Sequence, residues 1–320
     1  MTSQSWDVLT LGETMLRLSP PAAQRLEQAA QFDVYVGGSE ANVAVGLARL
    51  GLRSAWIGRL PKNPLGRRVS SALSSQGVDV SGVVWADEGR VGVYYLEVAG
   101  PPRGSQVVYD RQGSAASELR PEELDWELLS RTRHFHVSGI TAALSSSCAE
   151  TVRLALAEAR RRGVSTSVDI NYRSRLWSPQ RARQVLYPLL GVDLVFCTAD
   201  DASTVFGEQG SPSEVAARLR RDWGTKMVVL TLGGEGAIVS GTDGLWRGRG
   251  HELRAVDRVG AGDAYVAGFL YGYLEGDIDK AVAYGGAMAA WKHTEPGDFC
   301  WATSSDIEMM LARAATEIRR

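Results

Sequence analysis

Asp257-Arg258-Val259-Gly260-Ala261-Gly262-Asp263-Ala264, followed directly by an apolar helical pattern, is the stretch on which the reading of this chain turns. Glycines on either side of an alanine let the backbone bend tightly and present successive N–H groups. The helix behind them aims the positive end of its dipole at the same place. Such a hole suits the charge that gathers on a phosphoryl group in transfer. An aspartate at the start of that helix, Asp263, is a group that can take the proton of an attacking hydroxyl. A Gly-x-Gly-Asp turn standing alone is more often an ordinary helix cap, so its meaning depends on the rest of the chain.

Working outward, a second glycine-rich turn, Gly37-Gly38-Ser39-Glu40-Ala41-Asn42, leads into a helix expected over 40–50, where Val43, Leu47 and Leu50 recur with helical spacing and Gly51 supplies the stop. Along the chain, strand-like runs at 6–11, 54–58, 133–137, 165–170, 193–197 and 226–232 alternate with helical patterns at 64–76, 145–162, 179–189 and 213–223. Three closing helices are expected at 264–274, 279–293 and 305–318. Apolar strands separated by helices imply an α/β fold with parallel pairing and helices on both faces. Four short strands fall outside this alternation, at 15–18, 33–37, 91–99 and 106–110, the last two joined by Gly100-Pro101-Pro102-Arg103-Gly104. With no helices between them they suggest a small β-sheet able to cover a cleft, although a surface hairpin has the same pattern.

The 320 residues are 44% hydrophobic and 22% charged, with a net charge of −2 and both signs mixed along the chain. This composition allows a large core and carries no electrostatic footprint for nucleic acid or an anionic membrane. Cys148, Cys197 and Cys300 lie far apart without metal-ligand spacing, which argues for a reducing compartment. No apolar run is long enough to span a bilayer, and the first residues lack a signal-peptide pattern, so a cytoplasmic protein is expected.

The pair of glycine turns, one near each end, resembles the ribokinase-like (PfkB) sugar kinase family, and the likeness runs from Leu11-Gly12-Glu13 to about Asp298. The resemblance implies a three-layer α/β/α core in one kinase domain over 1–320, with lid strands inserted at about 14–37 and 90–112. It also implies ATP as phosphoryl donor and Mg²⁺ as the ion bridging its phosphates. On this likeness Asp263 is the catalytic base, and the N–H groups of Gly260, Ala261 and Gly262 stabilise the transferring group. Gly37, Gly38 and Asn42 then face the substrate, and the lid excludes water. Thr231-Leu232-Gly233-Gly234-Glu235-Gly236-Ala237 follows a strand, where ligands of open α/β sheets bind. The resemblance lays Thr231, Gly233 and Gly236 along the nucleotide, with Asn171 on the same side. Thr198-Ala199-Asp200-Asp201 stands where many relatives have Asn-x-x-Glu, so Asp201 is expected in the metal shell through water, although an acidic helix start is also ordinary capping. One departure is Arg258, where the family usually has threonine. It weakens the expectation of the nearby monovalent-cation site that many relatives carry.

Asp169-Ile170-Asn171-Tyr172-Arg173 with Leu176-Trp177 resembles both fructokinases and 2-keto-3-deoxygluconate kinases. The hairpin says more. Tyr94 and Tyr109 are spaced to set an aromatic face over a ligand, and Tyr109-Asp110-Arg111-Gln112-Gly113-Ser114-Ala115-Ala116-Ser117 is more similar to the ketodeoxygluconate kinase version. Gly12-Glu13-Thr14-Met15-Leu16-Arg17-Leu18 leans the same way. The expectation is transfer to a terminal hydroxyl of a sugar acid, giving its 6-phosphate. Its carboxylate would be gripped by Arg111 or Arg173, since guanidinium offers a planar two-point contact. Both arginines could instead serve as ion-pair partners or phosphate contacts. The resemblance implies that Asp298, in Pro296-Gly297-Asp298, binds a substrate hydroxyl, although aspartate is common in such turns anyway. A fructokinase or nucleoside kinase is the alternative within the family, and a non-catalytic sensor on the same fold is another class. A nicotinamide dehydrogenase is excluded because no Gly-x-Gly-x-x-Gly follows the first strand. The resemblance also implies a homodimer or larger even assembly, since lid strands often pair across a two-fold in this family and an exposed sheet edge invites a partner.

Overall fold

The computed structural model describes residues 5–21, 24–100, 102–251 and 255–317. Its strands, in chain order, are β1 (Trp6–Leu11), β2 (Met15–Ser19), β3 (Asp33–Gly37), β4 (Ser54–Ile57), β5 (Arg59–Pro61), β6 (Val84–Ala86), β7 (Val93–Glu97), β8 (Gln106–Asp110), β9 (Thr132–Ser138), β10 (Ser165–Asp169), β11 (Leu194–Thr198), β12 (Met227–Thr231), β13 (Gly236–Gly241) and β14 (Leu245–Arg249). The main sheet has the order β14-β13-β12-β11-β10-β9-β1-β4. Its strands from β12 to β4 are all parallel. β1 and β4 are buried along their whole length, and β9 and β11 nearly so, as a sheet covered on both faces requires.

The sheet is nevertheless mixed. β13 and β14 form an antiparallel hairpin on the β12 edge, where the alternation pattern leads to the expectation of parallel pairing only. Gly-Ala-Ile-Val-Ser-Gly and Leu-Trp-Arg-Gly-Arg carry too many glycines and too little alternation to stand out as strands. The helix expected over 179–189 ends at Leu186 and tightens into a 3₁₀ turn over Tyr187–Leu189, because Pro188 has no N–H to continue the ladder. A short helix, Gly139–Ala143, and the two-stranded β5–β6 pair had no clear signal. Pro101 of the expected turn and Ile318 of the last expected helix lie outside the described residues.

The four strands outside the alternation pair with one another in the order β3-β2-β7-β8, as a separate sheet. β2 and β7 run parallel at its centre, and β3 and β8 are antiparallel edges. Met15, Tyr94 and Leu96 from this sheet make a small apolar cluster that includes Val259 of the C-terminal glycine turn.

The helices Ser39–Arg49 and Ala261–Glu275 pack closely, and this brings the two glycine turns together. A Cβ at Gly46 would stand 2.7 Å from the Ala267 Cβ, so only glycine permits the approach. Gly268 does the same for the next helix, Ile278–Lys292, where a Cβ would meet the Tyr284 carbonyl at 2.4 Å. Among the described residues no helix is long and apolar enough to cross a membrane.

Candidate active site

Asp263 is not a helix cap. The helix begins at Ala261 behind Gly260, whose φ of 84° only glycine adopts freely, and Asp263 is its third residue. Its carboxylate leaves its own helix and accepts one hydrogen bond on each oxygen. Ser39 Oγ donates to Oδ1 at 2.7 Å, and Asn42 Nδ2 donates to Oδ2 at 2.7 Å. Both donors come from the first turn of the helix opened by Gly38. That glycine is required for space, since a Cβ there would meet the Glu13 carbonyl at 2.0 Å. Asn42 is itself fixed, because its Oδ1 accepts the Gly38 N–H at 3.3 Å.

The chain of bonds continues. Asn171 Nδ2 donates to Ser39 Oγ at 2.8 Å and to Asp169 Oδ2 at 3.2 Å. Among the described residues Asn171 is the one non-glycine with positive φ, at 42°. Such strain persists where surroundings over-determine it, typically at functional sites, and here it turns the amide between two groups of the cavity wall.

These residues line a cavity of about 480 Å³ between the two sheets. Gly37, Gly38, Asn42, Tyr94, Tyr109, Arg111, Asn171, Arg173, Asp201, Gly260, Gly262, Asp263 and Asp298, all singled out from sequence, lie around it. A second cavity of about 790 Å³ continues from it and is lined by Thr231, Gly233, Gly236 and Ala261. Thr231, Arg258 and Gly262 belong to both. The sequence-based grouping differs at two points. Asn171, expected beside the nucleotide, is on the first cavity. Ala261 lies on the second, and its N–H turns back to the Arg258 carbonyl at 3.3 Å, while Gly260 lines the first and Gly262 both.

Charge in the first cavity is unevenly satisfied. Burial pushes the Asp263 carboxyl up, and the bonds from Asn42 and Ser39 pull it back. Burial, then the neighbouring Asp263 and Asp201, hold Asp169 well above the usual carboxylate range. Burial also raises Asp201, against the Tyr172 N–H that it accepts at 3.2 Å. Among the described residues no group of three or more His, Cys, Asp or Glu side chains forms a metal cage. Crowded carboxylates without a cage fit an ion such as Mg²⁺, which takes one or two carboxylates and leaves its other positions to phosphates and water.

The two arginines differ. Arg173 is exposed, donates to the Tyr172 carbonyl at 3.1 Å, and is in no ion pair among the described residues. Arg111 is paired with the buried Glu13, while its Nε is buried without a partner. The Tyr94 and Tyr109 rings are 5.8 Å apart, and the Tyr94 hydroxyl donates to Asp298. Asp298 also takes the Arg17 guanidinium at 3.1 Å. Ser39, Glu13 and Asp169 are hydrogen-bonding or charged cavity residues to which sequence reasoning gave no role. Ser39 and Glu13 sit inside motifs already quoted, and Asp169 ends a strand at the sheet edge where ligands bind, so a signal was present for each.

A model of the pfkB family of carbohydrate kinases matches residues 6–300. The chain is 39% identical over 307 residues to 2-dehydro-3-deoxygalactonokinase of Haloferax volcanii, covering 95% of this chain and 96% of that one. It is 33% identical over 292 residues to 5-dehydro-2-deoxygluconokinase of Geobacillus kaustophilus, covering 89% and 87%. The crystal structure of 2-dehydro-3-deoxygluconokinase from Thermotoga maritima superposes with a TM-score of 0.92 at 36% identity, over 98% of this chain and 100% of that one.

Proposed function

The chain belongs to the pfkB family of carbohydrate kinases, and we propose that it transfers the γ-phosphoryl group of ATP to the terminal hydroxyl of a 2-keto-3-deoxy sugar acid, giving the 6-phosphate. The observation that carries this reading is the Asp263 carboxylate, tethered on both oxygens in the first cavity and next in the chain to Gly262, which lines both cavities. A base held in one orientation meets its substrate without reorganising. Asp263 takes the proton of the attacking hydroxyl. The glycine turn, chiefly Gly260 and Gly262 with the helix dipole behind them, meets the charge on the transferring group.

The acid end of the substrate is assigned to Arg173 and Arg111, which among the described residues are a cation in no ion pair and a guanidinium whose buried Nε has no partner. Asp298, Tyr94, Tyr109, Gly37, Gly38 and Asn42 take the remaining hydroxyls and the sugar face. Names of relatives support an acidic substrate, since each of the three acts on a dehydro-deoxy sugar acid. The nucleotide occupies the second cavity along Thr231, Gly233 and Gly236, while Asn171 stays on the wall of the first. Asp201 and Asp169 would hold Mg²⁺, which when bound would offset phosphate charge.

The smaller sheet is the lid of a single kinase domain. Its edge strands β3 and β8 expose Val34 and Val108, which favours pairing of two copies through the lids. The three free, buried cysteines suit a reducing, cytoplasmic setting.

The test is ATP-dependent phosphorylation, with Mg²⁺, of 2-keto-3-deoxygluconate, its galacto epimer, 5-keto-2-deoxygluconate, fructose, ribose and adenosine. Preference for a 2-keto-3-deoxy acid is expected. Preference for fructose or adenosine would remove the acid clamp, and turnover of none would remove the reading.

A further inference from the structure

Arg17 lies on β2, is 1% exposed, and does not line either cavity. Its guanidinium grips carboxylates from two other segments. Nη2 is 2.6 Å from Asp257 and Nη1 is 3.1 Å from Asp298. Nε donates to Ser19 Oγ at 2.8 Å, and the Tyr35 ring lies 5.0 Å from the charge. Replacing a buried ion cluster by apolar side chains is often neutral or stabilising, so stability alone is a poor account of this one.

Each carboxylate in the grip fixes something else. Asp257 accepts the Val259 N–H at 3.0 Å, inside the glycine turn, and the Gly297 N–H at 3.2 Å. Asp298 is wedged between the two glycine turns. A Cβ at Gly37 would come 2.1 Å from its carboxylate oxygen, and a Cβ at Gly260 would come 2.1 Å from its main-chain oxygen. Tyr94, from the centre of the smaller sheet, donates to the same carboxylate. Behind the cluster Lys292 is fully buried and donates to the Glu295 carbonyl at 2.9 Å, bracing the loop that carries Asp298.

We propose that Arg17 is a positioning residue, which clamps the smaller sheet, the loop of Asp298 and the anion-binding turn into one unit. The sugar side of the cavity and Gly260 are thereby set against each other at a fixed spacing. The inference rests on the kinase reading above for its consequences in catalysis. Its physical content is a coupling between β7 and the 257–260 turn through a residue that touches neither ligand.

The test uses the full chain carrying Arg17→Lys, which can reach one carboxylate but not bridge two, and separately Asp257→Asn, which keeps shape and removes one arm. Assayed well below their melting temperatures, on the acceptor the wild type prefers, both are expected to lose about 10- to 100-fold in kcat/KM for that acceptor, with the KM for ATP unchanged. Amide exchange, which needs no substrate, is expected to quicken together in β7 and in the 257–260 turn of the Arg17→Lys protein, with β10 to β12 unaffected. Wild-type activity with unchanged variants overturns the clamp and leaves the kinase. An inactive wild type sinks the kinase reading, and the exchange result still decides the clamp. Exchange that quickens in β2 alone, or failure of both variants to fold, assigns the cluster to folding and overturns the proposal.

Discussion

Asn42 and Asp263 are 221 residues apart in the chain and 2.7 Å apart in the fold, amide nitrogen to carboxylate oxygen. The contact exists because two helices, each opened by a glycine turn, pack with their N-termini side by side. Gly46 against Ala267 sets the distance between their axes. Ser39 on the other carboxylate oxygen completes the hold. The proposed base is therefore oriented by the opposite end of the sequence, not by its own helix.

Ser39→Ala removes one donor from Asp263. The hydroxyl favours the ionised carboxylate, so without it the carboxyl ionises at higher pH. A base works only when deprotonated, and the acid limb of the kcat/KM profile is expected to move to higher pH, with a loss that is greatest at low pH. A profile that drops evenly at every pH would show that Ser39 acts otherwise.

The α/β alternation and both glycine turns were legible because each rests on local pattern: apolar runs, helix spacing, and glycine where φ or space demands it. What could not be read was pairing across the chain. Nothing local says that Glu13 takes up the charge of Arg111, or that Arg17 spans Asp257 and Asp298. Taken alone, the Asp263 turn has the pattern of a cap, because its partners, Ser39 and Asn42, are remote. The β13–β14 hairpin was missed for the opposite reason, a weak local pattern stabilised by the sheet edge it joins.

Arg173 and Arg111 should fail differently when cut. Arg173→Met removes an exposed cation that is in no ion pair among the described residues, so KM for the sugar acid is expected to rise with thermal stability unchanged. Arg111→Met also strands the buried Glu13 carboxylate, and loss of a buried partner costs about 3–5 kcal/mol. Equal melting temperatures in the two variants would contradict the pairing.

Glu40 gives stability a pH dependence of its own. Burial pushes its carboxyl from 4.5 up to about 7, against bonds from Thr141 and Ser138. The fold thus holds the proton longer than the unfolded chain does. Its contribution is full below the unfolded value and is lost as pH rises through the folded one. Glu40→Gln is expected to flatten the decline in melting temperature between pH 5 and 8. Parallel curves for variant and parent would exclude it.

His134 and His136 act in the opposite window. Burial lowers them from 6.5 to about 4 and about 3, and their ring nitrogens bond Ser165 and Ser167. The unfolded chain takes up protons first as pH falls, so stability is full above 6.5 and drains as pH drops toward 4. In the Glu40→Gln background, urea midpoints are expected to fall steadily from pH 7 to 5. A flat series would mean the histidines accept protons while folded.

Turnover of Asp263→Asn on the preferred sugar acid tests the central claim most directly. The amide keeps the shape of the side chain but cannot take a proton. With ATP binding and melting temperature near those of the parent, kcat is expected to fall by about two to four orders of magnitude. Wild-type turnover in a folded Asp263→Asn protein would show that the proton leaves by another route and that Asp263 is not the base.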